Sequence, residues 1–218
     1  MTLSLFDDAL LPGRFSREEL CAGAVVLRAF AITNEAAILS AVGDVISRAP
    51  LRHMETPGGF RMSVAMTSCG SCGWVTDRSG YRYDPLDPMS GTPWPAMPDV
   101  LRQLARDAAD NAGSARFDPD ACLINRYVPG ARMSLHQDKD EHDFGQPIVS
   151  VSLGLPAMFL FGGLRRNDKP LRVSLTHGDV VVWGGPARLR YHGVWPLKHG
   201  HHPLLGEQRF NLTFRKAR

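Results

Sequence analysis

The sequence predicts a mainly β protein of the α+β kind: a double-sheet jelly roll with backing helices and an N-terminal lid. Three observations lead there. After Ala121 the chain breaks into short strand-like runs at 122–128, 133–136, 148–153, 157–161, 171–175, 179–183, 189–194 and 208–214, separated by Gly and Pro turn signals. Many short strands punctuated in this way close into two packed sheets. Ahead of them stand two stretches with apolar residues at helical spacing. Between those stretches, residues 56–98 scatter Tyr and Trp among Gly and Pro, a composition suited to hairpins.

Taken in chain order, residues 1–20 are expected to be a poorly ordered leader. Met1 to Leu11 carries Asp7 and Asp8 and shows no basic region followed by an apolar stretch, so no secretory signal is read there. No segment reaches the roughly 18 uninterrupted apolar residues of a membrane span. A cytoplasmic monomer without membrane contact is expected. The first helix starts behind the cap signal Thr33-Asn34, runs through Ile38, Val42, Val45, Ile46 and Ala49, and stops at Pro50. The second runs from Asp99 to Ala112, with Leu101, Leu104, Ala105 and Ala108 on one face and Gly113 closing it. The expected organisation is a leader (1–20), an extension with helices and lid (21–120) and a jelly-roll core (121–218), forming one compact unit.

Composition bounds the answer without choosing it. A chain of 218 residues with 44% hydrophobic and 22% charged residues has the profile of an ordinary globular protein. A net charge of +3, from 25 basic and 22 acidic residues, permits nucleic-acid binding but does not argue for it. Cys21, Cys69, Cys72 and Cys122 make no disulfide framework in a chain of this size. Cys69-Gly70-Ser71-Cys72 lacks the second pair that a four-thiolate zinc site needs, and is read as two reduced thiols in a Gly-rich loop. His199, His201 and His202 precede Pro203 with no carboxylate close in sequence, and are read as a solvated loop.

The chemistry lies in His136-Gln137-Asp138, answered by the distant His192. On an extended strand, side chains i and i+2 share a face, so His136 and Asp138 point together into one cavity. Two imidazoles and one carboxylate leave coordination positions open, the arrangement expected of non-haem Fe(II) oxygenases that bind O2. The terminal run Arg209-Phe210-Asn211-Leu212-Thr213-Phe214-Arg215 alternates in the same way. Arg209, Asn211, Thr213 and Arg215 take one face; Phe210, Leu212 and Phe214 take the other. Arg209 and Arg215 stand about 20 Å apart along the backbone, and their long side chains can converge on a short ligand with an anion at each end. A dicarboxylate beside an open Fe(II) suggests 2-oxoglutarate.

Five segments then become recognisable together: Cys122 to Tyr127, Ser134 to Glu141, Ile148 to Gly154, His177 to Trp183, and Arg209 to Arg215. They closely resemble the AlkB alkylation-repair dioxygenases, and among these the bacterial members. The likeness runs from about residue 20 to 215 and is densest after 120. It implies a double-stranded β-helix with a nucleotide-recognition lid. It also implies oxidative demethylation of 1-methyladenine and 3-methylcytosine in single- or double-stranded DNA, and in RNA, with release of formaldehyde and conversion of 2-oxoglutarate to succinate and CO2.

By the same resemblance, His136, Asp138 and His192 would ligate Fe(II). Arg209 with Tyr127 would hold the distal carboxylate of 2-oxoglutarate, and Asn125, Asn211 and Arg215 would address its keto acid end. Trp74 and His136 would sandwich the base, with Tyr81 and Met66 lining the lid and Arg166 near the base or its backbone. Asp140 would favour the cationic methylated bases. Thr56, Ser134, Lys139 and Glu141 would make backbone or edge contacts. Phe60, after Gly58-Gly59, stands where the resemblance leads one to expect a tyrosine, so a phenolic contact to phosphate is lost there. Two other classes stay open: a 2-oxoglutarate oxygenase acting on a protein, lipid or small molecule, and a jelly-roll binding module or hydrolase using the three side chains as a zinc-like site.

Overall fold

A computed structural model describes residues 15–218. Within them the chain forms β1 (Ser16–Cys21), β2 (Ala24–Arg28), α1 (Glu35–Arg48), β3 (Arg52–Glu55), β4 (Arg61–Gly70), β5 (Gly73–Asp77), β6 (Gly80–Asp84), α2 (Asp99–Asn111), β7 (Ala121–Tyr127), β8 (Met133–His136), β9 (Ile148–Gly154), β10 (Ala157–Phe161), β11 (Leu171–Leu175), β12 (Val180–Trp183), β13 (His192–Val194) and β14 (Arg209–Arg215). The larger sheet has the order β1-β2-β12-β9-β14-β7-β4-β3, the smaller one β11-β10-β13-β8, and β5 and β6 form a separate hairpin.

All pairings are antiparallel. Period-two alternation then divides each central strand between two layers. Val149, Val151, Val180, Val182, Leu212 and Phe214 point toward one core, shared with Ile38, Val42 and Val45 of α1 and Leu101, Leu104 and Ala108 of α2. Ile148, Val181 and Trp183 point the other way, into a second core closed by Phe159, Phe161, Val173 and Leu175 of the smaller sheet. The expected jelly roll with backing helices is this arrangement.

Both helices stand where the apolar spacing puts them. Asn34 occupies the cap position of α1 without a side-chain cap bond; a single 3-10 turn at Ile32–Asn34 leads into the helix instead. Helix α2 ends as its Gly113 predicts. Gly113 has φ +89, its N–H donates to Asp110 O at 3.0 Å, and Ser114 N–H donates to Ala109 O at 2.8 Å, a glycine-closed terminus.

Three boundaries differ from the sequence expectation. Ser16–Cys21 is a strand paired with β2, so the end of the expected leader belongs to the sheet; residues 1–14 lie outside the described ones. Four strands of the larger sheet, β1 to β4, come from before residue 120, so the expected extension and core share one sheet. Cys69 lies within β4, fully buried opposite Cys122 of β7, and so is not in a loop. Local pattern does not reveal such long-range pairing. All four cysteines are free, and no described helix is long and apolar enough to cross a membrane.

Phe214 is fully buried against the helices, whereas Phe60 is 76% exposed. Phe214→Ala is expected to cost about 3–5 kcal/mol in urea denaturation, and Phe60→Ala to stay within about 0.5 kcal/mol of the parent.

Candidate metal and dicarboxylate site

Between the two sheets, His192 on β13 is the cross-strand partner of His136 on β8, which brings their rings to 4.4 Å. Strand β8 ends at His136, so Asp138 reaches the same point from the following loop and not from the same strand face. Its Oδ1 lies 3.6 Å from His136 Nε2 and its Oδ2 lies 3.7 Å from His192 Nε2. Ligand atoms of all three residues lie within 4.8 Å of one another, and they form the one such group among the described residues.

The hydrogen bonds behind these rings fix their chemistry. His136 Nδ1 lies 2.9 Å from Ser134 O, and His192 Nδ1 lies 3.1 Å from Arg190 O. A carbonyl only accepts, so each Nδ1 carries a proton, which leaves each Nε2 facing Asp138. Burial, reinforced by the neighbouring His136, depresses His192 to about 4, so its imidazole is neutral near pH 7. Burial alone would raise the Asp138 carboxyl; Arg215, helped by both histidines, reverses this and holds it well below the usual carboxylate range. The donors are therefore two imidazoles, that of His192 neutral, and one carboxylate, a set that suits Fe(II).

The cavity beside these groups is lined by the polar face of β14. All seven residues of β14 are buried, because β7 and β9 flank it. Arg209 pairs in register with Tyr127 and Asn211 with Asn125. The Arg209 guanidinium lies over the Tyr127 ring at 5.1 Å, and its Nη2 donates to Ser152 Oγ at 3.0 Å. Its Nε and Nη1 are buried without a partner, as is Asn125 Oδ1. Burial lowers the pKa of Arg209, yet a guanidinium stays charged. A fully buried cation with two free donors calls for an anion. Asn211 donates to Ser150 Oγ at 2.8 Å and to Val151 O at 3.0 Å. Ser150 and Ser152 were not singled out from sequence. The signal was there: two serines at i, i+2 inside an otherwise apolar strand.

Arg215 lies against Asp138, with Nη2 and Nε at 2.6 and 2.9 Å from Oδ2. Burial would lower its pKa, but Asp138, Tyr83 and Glu141 raise it. Glu141, expected to make backbone or edge contacts, is buried at 6% exposure and engaged within the protein. Its carboxylate accepts from Tyr83 Oη at 2.7 Å and from Arg188 Nη2 at 3.0 Å, and stands 3.3 Å from Arg215 Nε. Tyr83 and Arg188 also escaped the sequence reading, since neither belongs to a recognisable local pattern.

On the β5–β6 hairpin, Trp74 of β5 stacks on Tyr81 of β6 with centroids 5.7 Å apart and planes 19° from parallel. Trp74 Nε1 donates at 2.8 Å to Oδ2 of Asp140, in the loop that follows β8. Met66 is fully buried in the core beneath and does not line the lid. Ser134, Lys139 and Arg166 are exposed, and Thr56 is half-buried in the turn where its Oγ1 accepts from Phe60 N at 3.2 Å. His199 and His201 are exposed. His202 stacks on His177, whose Nε2 lies 2.5 Å from Glu35 Oε2, a carboxylate that sequence distance had hidden.

Comparison with known proteins agrees with this geometry. A family model for the 2OG-Fe(II) oxygenase superfamily matches residues 23–215. The chain is 60% identical over 201 residues to the alpha-ketoglutarate-dependent dioxygenase AlkB of Escherichia coli (strain K12), covering 92% of this chain and 93% of that one. It is 33% identical over 174 residues to the DNA N(6)-methyladenine demethylase ALKBH1C of Arabidopsis thaliana, covering 68% of this chain and 38% of that one. The solved structure of OsALKBH1 superposes with a TM-score of 0.79 at 30% identity, covering 92% of this chain and 100% of that one.

His192→Ala is expected to weaken Mn(II) binding, followed by electron paramagnetic resonance, by at least ~100-fold, more than the loss of a residue that only orients a ligand. His201→Ala should leave it unchanged.

Proposed function

The chain belongs to the 2OG-Fe(II) oxygenase superfamily and, within it, to the AlkB alpha-ketoglutarate-dependent dioxygenases, and from that membership we propose that it removes methyl groups from ring nitrogens of nucleobases in DNA, and by the same chemistry in RNA. Fe(II), 2-oxoglutarate and O2 together supply the oxidation of an N-methyl group to an N-hydroxymethyl group, with 2-oxoglutarate leaving as succinate and CO2. The hydroxymethyl adduct then breaks down to formaldehyde and the unmodified base.

In this reading His136, Asp138 and His192 would hold the metal through two imidazole nitrogens and one carboxylate. Arg209, backed by Tyr127, would take the distal carboxylate of 2-oxoglutarate. The observation that carries this assignment is the pair of unpartnered donors on fully buried Arg209, in the cavity that also contains both histidines. Asn125, Asn211 and Arg215 would orient the keto acid end, Arg215 by turning from Asp138 to the incoming anion. The apolar surfaces of Phe159, Trp183 and Val194 would limit water at the reacting centre.

At the entrance, Trp74, Tyr81 and His136 offer aromatic faces for a base taken out of its stack. A methyl on the pairing edge already abolishes pairing, which lowers the cost of extrusion. Alkylation at that edge also fixes a positive charge on 1-methyladenine and 3-methylcytosine, and the Asp140 carboxylate beside Trp74 would favour those cations over neutral bases. Arg166, Thr56, Ser134 and Lys139 would meet the strand outside the pocket. A reducing, cytoplasmic setting accords with four free cysteines.

Purified protein incubated in air with iron, 2-oxoglutarate and oligonucleotides bearing 1-methyladenine or 3-methylcytosine is expected to release formaldehyde and succinate in equal amounts and restore the base mass. An oxygenase acting on a protein, lipid or small molecule would release no formaldehyde from them. Trp74→Ala should lose methyl release while succinate formation persists. Arg209→Ala should raise the KM for 2-oxoglutarate at least ~10-fold, the scale of a charge-assisted hydrogen bond; an unchanged KM contradicts the assignment.

A further inference from the structure

The buried carboxylate of Glu141 has no part in the function proposed above, yet it joins the lid to the groups around the metal position. Trp74 and Tyr83 are cross-strand partners on the β5–β6 hairpin. Trp74 binds Asp140, and Tyr83 binds the next residue, Glu141. Two adjacent carboxylates, two and three residues past Asp138, thus tie both strands of the lid to one loop.

Glu141 is also engaged from the other side. Arg188, itself buried, donates from Nη2 to Glu141 Oε2 and from Nη1 to Asp138 O at 2.8 Å, while its Nε donates to Gln146 O at 3.0 Å. The Glu141 oxygen facing Arg215, Oε1, is the one that accepts the Tyr83 hydroxyl. That bond is short at 2.7 Å, while the ion pair to Arg215 is longer at 3.3 Å. Oε1 can accept from both donors, but the charge it shares with the Tyr83 hydroxyl is drawn from its attraction to Arg215, so the hydroxyl keeps the grip of Glu141 on the guanidinium loose.

We propose that Glu141 is a positioning residue that shares Arg215 with Asp138 and the co-substrate, and that Tyr83 sets how tightly it does so according to the placement of the lid. When Asp138 serves the metal and Arg215 turns toward an anion, Glu141 remains as the second carboxylate that balances the guanidinium. With the Tyr83 bond in place, Arg215 is free to turn. If lid movement breaks that bond, Glu141 Oε1 draws Arg215 back. Base capture at Trp74 and the hold on 2-oxoglutarate are then linked through one hydrogen bond.

The inference rests on the function proposed above for the part played by the nucleobase, but not for the link between Tyr83 and co-substrate binding. The test therefore has two arms. In the first, the affinity of Mn(II)-loaded protein for 2-oxoglutarate is measured by calorimetry without oligonucleotide, beside the thermal midpoint. Tyr83→Phe is expected to weaken 2-oxoglutarate binding by about 3–10-fold, as befits one hydrogen bond, with Mn(II) affinity unchanged and only a small drop in the midpoint. Glu141→Gln, where it folds, should change the affinity as well. In the second arm, an oligonucleotide with one 1-methyladenine is turned over by the iron-loaded protein. Tyr83→Phe should raise the amount of succinate formed per formaldehyde. A Tyr83→Phe protein with a lowered midpoint and unaltered 2-oxoglutarate affinity would overturn the inference, because the network would then be structural only. No formaldehyde from the parent protein would instead remove the nucleobase reading and leave the first arm to decide the link.

Discussion

The polar face of one interior strand is the constraint on which the rest depends. Strand β14 is hydrogen-bonded along both edges, and every residue in it is buried. Its alternation puts Phe210, Leu212 and Phe214 into the helix-backed core and Arg209, Asn211, Thr213 and Arg215 into the cavity between the sheets. A slip of one residue would exchange the two sets. Two guanidiniums would then enter an apolar layer with no partner, a cost several times that of a lost side-chain contact. The site and the core therefore specify the register jointly.

The serines of β9 belong to the same constraint. Ser150 and Ser152 occupy the flanking strand where Asn211 and Arg209 need hydrogen-bond partners, and each meets one of them. Ser150, Ser152 and Asn211 are thereby hydrogen-bonded within the protein. Unpartnered atoms remain on three residues that line the cavity, Arg209, Asn125 and Trp183, and the first two are where a dicarboxylate and its keto end would bind. That contrast separates the scaffold of the site from its binding surface.

Much of this was legible in the sequence because it is local. The helical spacing behind α1 and α2, the glycine closing α2 and the alternation of Arg209 to Arg215 each follow from a few neighbouring residues. His136, Asp138 and His192 were legible as donors, although the reason given for joining the first two was wrong: β8 ends at His136, and the following loop delivers Asp138. What stayed hidden depends on contacts between distant segments. β4 reads as part of a lid by composition, yet it hydrogen-bonds to β7 inside the larger sheet and buries Met66 beneath the hairpin. Glu141 reads as a contact to the nucleic-acid backbone or base edge, yet Tyr83, Arg188 and Arg215 converge on it from three other parts of the chain. Charge patterns along a sequence cannot show that four ionised side chains share one buried space.

Asp138, Glu141, Arg188 and Arg215 balance one another, two carboxylates against two guanidiniums, with side chains less than a tenth exposed. Such a group is stable only as a whole, since removing one member strands another charge. Adding a divalent cation at Asp138 and a dianion at Arg209 and Arg215 leaves the net charge of the site unchanged, so the pair of ligands is accommodated where either alone would shift it by two. The most direct test is a crystal structure of the protein with Mn(II) and 2-oxoglutarate, with data collected at the manganese absorption edge. The account predicts a single anomalous peak within bonding distance of His136, Asp138 and His192, and ligand density running from that peak to the Arg209 guanidinium. A peak at the His199 to His202 loop, or ligand density that avoids Arg209, would contradict it.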